Sequence, residues 1–161
     1  MSLAGALILI SSAYFLGRAI ALREGEALKA LDSVINMLRF VHRRMETEGT
    51  PLYLLFEKYK DGYLEDAGFL PILRAHGNLA SRFWGEAVEE LSLTSEAKIE
   101  LLHFGETLGT LDLENQLKRI NACMDFLVQE REKLRISVPL KQKSIKTVAF
   151  LFGALTAIVL L

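Results

Sequence analysis

Every Lys, Arg, Asp and Glu of this chain lies between Arg18 and Lys146. That separation constrains the fold more than any motif does, because a long uncharged run is stable in a bilayer or a core and costly in water. The first run continues past Arg18 through Ala19, Ile20, Ala21 and Leu22, reaching about the 20 residues that a helix needs to cross the hydrocarbon. Arg18 would then extend its cationic end to the interface. A cleaved leader would carry its cations before the apolar stretch, whereas here they follow it. The second run, residues 147–161, provides about 22 Å of helix against about 30 Å of hydrocarbon, so it must recruit Ile145 or thin the bilayer locally. An interfacial helix is the alternative for that end.

Arg18 and Arg23 follow the first run, and Lys141, Lys143 and Lys146 precede the second. The bias of cations toward the cytoplasmic face therefore places the middle of the chain in the cytoplasm. The expected division is an N-terminal transmembrane anchor at 1–22, a cytoplasmic helical domain at 23–146 and a C-terminal transmembrane segment at 147–161. The sole cysteine, Cys123, suits a reducing compartment and permits no internal disulfide.

Within that division the periodicity is helical. Leu28, Leu31, Ile35, Leu38 and Met45 step by three and four with His42 filling one turn at a tolerated or edge position, so a seam runs to Glu48. Gly49 suits the helix C-terminus, Thr50 an N-cap and Pro51 the first turn of a short helix that buries Leu52, Leu55, Phe56 and Tyr59. Short helices are predicted near 64–76 and 78–91, the second burying Leu79, Phe83, Ala87 and Val88, with Trp84 in the core or at its rim. Thr94 or Ser95 caps the next helix, which carries Ile99, Leu102, Gly105 and Gly109. The two glycines, four apart, share one helical face, so another backbone can pack close there at roughly 1 kcal/mol of lost propensity each. Asp112 opens a last long helix through Leu113, Leu117, Ile120, Met124, Leu127 and Leu134, and Pro139 should bend it. The expected fold is all α: a membrane-anchored helical bundle with two long antiparallel stalk helices, short distal helices and two flanking spans.

Overall neutrality hides a polarised charge distribution. Residues 61–114 hold eleven carboxylates against three cations, a net of −8, whereas residues 115–146 hold eight cations against three carboxylates, a net of +5. A basic root suits an anionic leaflet, and an acidic tip suits a basic protein partner. Glu86, Glu89, Glu90, Glu96, Glu100 and Glu106 are the candidate contacts. Nothing in this pattern points to nucleic acid.

Chemistry is not written into the motifs. No G-x-x-x-x-G-K-[ST] occurs and no G-x-G-x-x-G follows a strand. His42, His76, His103 and Cys123 lack metal-ligand spacing. Ser95-x-x-Lys98 lacks the companions that would make it a nucleophile site and reads as capping. The carboxylates lie on polar faces without an evident pocket for acid–base work. The expectation is no enzyme and no cofactor.

Two motifs carry a resemblance: G-T-P-L-x-x-x-F at 49–56, with Gly49, Pro51, Leu52 and Phe56, and F-G-x-x-L-G-x-x-D-x-x-x-Q at 104–116, with Phe104, Gly105, Leu108, Gly109, Asp112 and Gln116. With the terminal runs on either side, the chain resembles the stage III sporulation protein AB family over nearly its whole length. It departs at Leu111, where a small hydroxyl residue is expected before the Asp. The second motif is also similar to the cytoplasmic helical domain of type II secretion and type IV pilus platform proteins. The resemblance implies a mother-cell membrane protein in a channel complex, with other channel-complex membrane proteins and a cytoplasmic secretion-type ATPase as partners. Platform proteins usually carry two copies of the helical domain, so the one copy here implies self-association into a homo-oligomer. The alternative is a membrane-tethered scaffold that assembles other membrane proteins and binds no motor.

Overall fold

The computed structural model describes the backbone of residues 3–160 and the side chains of residues 22–137. Every regular element among them is helical: α1 (Leu3–Glu48), α2 (Leu52–Lys58), α3 (Gly62–Asp66), α4 (Phe69–Ala75), a 3-10 helix (Gly77–Phe83), α5 (Trp84–Glu89), α6 (Ser95–Glu106) and α7 (Leu113–Leu160). The chain divides into two compact units, Glu26–Glu132 and a second composed of Met1–Gly25 with Lys133–Leu161. Among the described residues no helix is long and apolar enough to cross a membrane. The expected spans, 1–22 and 147–161, carry side chains that lie outside the described residues, Leu22 apart. α7 continues as helix past Pro139, so the proline does not end it.

Inside Glu26–Glu132, α1 buries a broader stripe than its heptad-like seam. Leu31, Ile35, Leu38 and Met45 are buried as expected, and Leu28 is half-buried. A second row, Ala27, Ala30, Val34, Met37 and Val41, is buried beside them. Two rows are covered because α1 meets neighbours on two sides: Asp32 pairs with Arg131 of α7 at 3.2 Å, and the Phe40 ring lies 5.1 Å from that of Tyr59 at the end of α2. Gly49 stops the helix in the left-handed conformation (φ +59°), its amide donating to the Met45 carbonyl at 3.1 Å.

Pro51, not Thr50, occupies the N-cap position of α2, and the Thr50 hydroxyl instead donates to Glu48 Oε2. A proline fits there because the amide it lacks would have had no helical partner. The helix predicted over 64–76 is two helices, broken at Gly68, whose φ of +92° no regular helix accommodates. Asp61 caps the first by accepting from the Leu64 amide at 3.0 Å. The helix predicted over 78–91 is the 3-10 helix followed by α5; Ala87 and Val88 are buried, but Phe83 is only half-buried and Leu79 is exposed. Thr94 caps α6 through Oγ1, which accepts from the Ala97 amide, and Ser95 is the first helical residue.

Arg74 ties the short helices together. Its guanidinium donates to the carbonyls of Phe56 and Tyr59 at the C-terminus of α2, and it also pairs with Glu65 of α3 at 2.7 Å. A planar five-donor fork reaches all three partners at once, which a lysine ammonium cannot match.

Candidate functional site

The centre of the unit is Trp84, 1% exposed, around which the rings of Phe56, Phe69 and Phe104 stand at centroid distances of 6.0, 5.3 and 5.4 Å. The Phe69 and Phe104 rings meet it edge-on, the favoured aromatic geometry. The indole N–H donates to the Leu101 carbonyl at 2.7 Å, so burying Trp84 leaves no orphaned donor. The sequence left Trp84 between core and rim; it is the hub. One side of the indole lies on Gly105, where an added Cβ would fall 3.0 Å from Trp84 Cγ and 3.1 Å from Nε1, and nearer still to Cδ1. Of the motif residues, Phe56 and Phe104 thus belong to this cluster, with Leu108 buried beside the corner and Leu52 half-buried on α2.

Gly105 and Gly109 do not share a helical face. α6 ends at Glu106, and Gly109 lies in the following turn with φ +77° and nothing within 4 Å of where a Cβ would point. The glycine at 105 answers to a close contact, and the one at 109 to a backbone conformation that L side chains rarely adopt. The turn is closed from the next helix: Gln116, 1% exposed, accepts the Gly109 amide at Oε1 (3.1 Å), while its Nε2 has no hydrogen-bond partner. Asp112 opens α7 as expected, accepting from the Asn115 amide at 3.0 Å and from its side-chain nitrogen at 2.7 Å. Those two donors hold the Asp112 carboxyl below its ordinary pKa.

The six candidate glutamates sort into two groups. Glu86, Glu90 and Glu96 are exposed on or beside α5 and α6 without an ion-pair partner within reach in the described structure, and Glu106 is exposed with only the His103 ring near it, at 4.0 Å. Glu89 and Glu100 are engaged. Lys98 Nζ lies 2.7 Å from Glu89 and ties α6 to α5; Arg119 of α7 lies 3.1 Å from Glu100, whose side chain is 19% exposed. Arg119 also donates to His103 Nδ1 at 2.9 Å. Since arginine only donates, Nδ1 must be unprotonated in that contact, which leaves Nε2 facing Glu106. Cys123 is buried close by, and its thiol is pushed up to about 12, first by burial and then by the negative charge of Glu100, with Arg119 opposing. Among the described residues no group of three His, Cys, Asp or Glu side chains could hold a metal ion.

Sequence reasoning missed Arg74 and Arg119, because their partners lie 18, 15, 9, 19 and 16 positions away, beyond any helical repeat. Ile99, carried on α6 as expected, points outward and is 67% exposed.

No curated protein sequence matches the chain. Among solved structures, one described as "Stage III sporulation protein AB (SpoIIIAB)" is similar in fold, with a TM-score of 0.55 and 21% identity over 71% of this chain and 97% of that one. The profile of the stage III sporulation protein AB family matches residues 2–161. With every described element helical, with Phe56, Phe104 and Gly105 at Trp84 and with Gly109, Asp112 and Gln116 at the α6–α7 corner, the chain belongs to that sporulation family.

Proposed function

We propose that this protein is a non-enzymatic membrane platform of a sporulation channel complex, docking a cytoplasmic secretion-type ATPase through its helical domain. The observation that carries the reading is the carboxylate-rich outer side of α5 and α6, rigidly backed by the Trp84 cluster and cross-braced by Lys98–Glu89 and Arg119–Glu100. Such a surface attracts a basic partner and holds its own geometry while doing so. The Asp32–Arg131 pair joins positions 99 residues apart on α1 and α7, as antiparallel pairing of two stalk helices requires. The charge-free terminal runs would root that pair in the mother-cell membrane, with membrane lipid, further channel proteins and other copies of this chain around it.

The test is binding of the cognate ATPase to the full chain in nanodiscs, with and without nucleotide. Association at low salt that weakens as salt rises is the expected result, since charges more than about 8 Å apart are screened at physiological ionic strength. Reversing Glu86 and Glu90 to Lys should slow association and leave melting unchanged, because exposed charges contribute little to stability. Reversing Lys141 and Lys143 should spare binding. An ATPase that fails to bind at any salt sinks the platform reading in favour of the scaffold.

A further inference from the structure

α6 buries Ala97, Leu101 and Phe104. At about 100° per residue, Ile99 points away from all three. It is the most exposed large apolar side chain among the described residues, on a helix tied by ion pairs to both α5 and α7. Leu102, three residues on, is half-buried against Gly85 and extends the apolar strip by one turn. A β-branched side chain at an exposed helical position lowers helix propensity and gains nothing from folding. Glu96 and Glu106, both exposed, lie at the two ends of this face, separated by about 15 Å along the helix axis. Glu89 and Glu100 flank it, but Lys98 and Arg119 neutralise them, so the charge on the strip comes from its ends.

This pattern discriminates between occupants. A second copy packed antiparallel with Ile99 on Ile99 would set Glu96 opposite Leu102 and carry Glu106 past the start of the partner's α6, so neither carboxylate would meet a cation and Glu96 would be desolvated without a partner. A helix with a central apolar stripe and Lys or Arg about three turns apart meets no such penalty.

We propose that the outward face of α6, with Ile99 as its anchor and Glu96 and Glu106 as its charged ends, is the surface that receives a basic amphipathic helix of the docked ATPase. The assignment rests on the platform reading and names its contact surface. Apolar burial at Ile99 sets the lifetime of the complex, and the two carboxylates set its rate of formation and its register.

The experiment measures association and dissociation of purified cognate ATPase on the full chain in nanodiscs. Ile99→Asp is expected to weaken binding at least tenfold, mainly through faster dissociation, while Ile99→Leu stays within about threefold of wild type. Glu96→Lys with Glu106→Lys is expected to slow association about tenfold and to flatten its salt dependence, and Glu57→Lys on α2 to change neither. Unaltered melting of each variant shows that the fold is intact. Wild-type binding that survives both Ile99→Asp and the double reversal overturns this surface and leaves the platform reading standing. Absence of wild-type binding overturns the platform reading and the surface with it. If Ile99→Asp instead dissociates a homodimer and leaves ATPase binding unchanged, the face belongs to a second copy and the proposal fails.

Discussion

Gly105 lies against the indole of Trp84 so closely that the smallest side chain would have to displace the ring, and the ring is pinned by its hydrogen bond to the Leu101 carbonyl. α5 and α6 are thereby held together at a second point besides the Lys98–Glu89 pair.

Gly105→Ala is therefore expected to destabilise the protein by about 1 to 3 kcal/mol through overpacking. It should also shift the emission of Trp84, the sole tryptophan. Gly109→Ala should cost roughly 1 kcal/mol by a different route, the positive φ, and leave the emission unchanged. Asn at 109 should be milder than Ala, since Asn tolerates that backbone region. Denaturant melts read by tryptophan fluorescence separate the two cases, and equal spectral shifts in both would refute the distinction.

Asp112 offers a pH test. Its folded pKa lies below the ordinary 3.8 because Asn115 donates to the ionised form. Its contribution is present above the unfolded pKa and is lost as pH falls through the lower folded value. Asp112→Asn keeps a capping oxygen and removes the charge, so its melting temperature should vary less with pH below about 4 than that of wild type. Asp112→Ala should lower the melting temperature even at neutral pH.

Cys123 titrates in the opposite sense. With a folded value of about 12 against an ordinary 9.0, its thiol stays protonated in the fold while the unfolded chain ionises. The stability it contributes is whole below pH 9 and declines between about 9 and 12, at up to about 1.4 kcal/mol per pH unit. Cys123→Ala should remove that part of the alkaline slope, and a disulfide reagent at pH 8 should label wild type only as fast as it unfolds.

The same burial makes topology measurable in the otherwise native chain. Because Cys123 is shielded, a cysteine placed at Ser95 or Ser2 reports without background. Membrane-impermeant maleimide is expected to reach position 95 only from the cytoplasmic side and position 2 only from the other. The reverse pattern would contradict the reading of Arg18, Arg23 and the lysines before residue 147 as cytoplasmic flanks.

What the sequence disclosed was local. The three-and-four stepping of α1, the stop at Gly49 and the Asp112 cap depend on neighbours within one turn and stand in the structure, whereas on α7 the buried line runs through Gln116, Ile120, Cys123, Leu127 and Glu130 and leaves Leu113 exposed. What it concealed depends on which elements meet. Ala27 and Ala30 are too small to announce a buried row, and the contacts of α1 with α7 at Asp32 and with the end of α2 at Phe40 are long-range ones. The glycine pair read as one helical face because nothing local says that α6 ends at Glu106; Gln116, ten residues further on, holds the turn at Gly109. Glu89 and Glu100 looked like their neighbours until Lys98 and Arg119 were seen against them.

Arg74 links α2, α3 and α4, helices of seven, five and seven residues. None of them is long enough to persist alone in water, where a nucleus costs more than so few hydrogen bonds return. Their lifetimes are therefore set by the shared guanidinium and the ring cluster beneath it. Under native conditions the amides of Leu55, Tyr59, Ala67 and Ile72 should exchange with deuterium as one block with a common opening free energy. Arg74→Lys, which keeps the charge and loses the fork, should accelerate the whole block together, so that a single side chain sets the cooperativity of three helices.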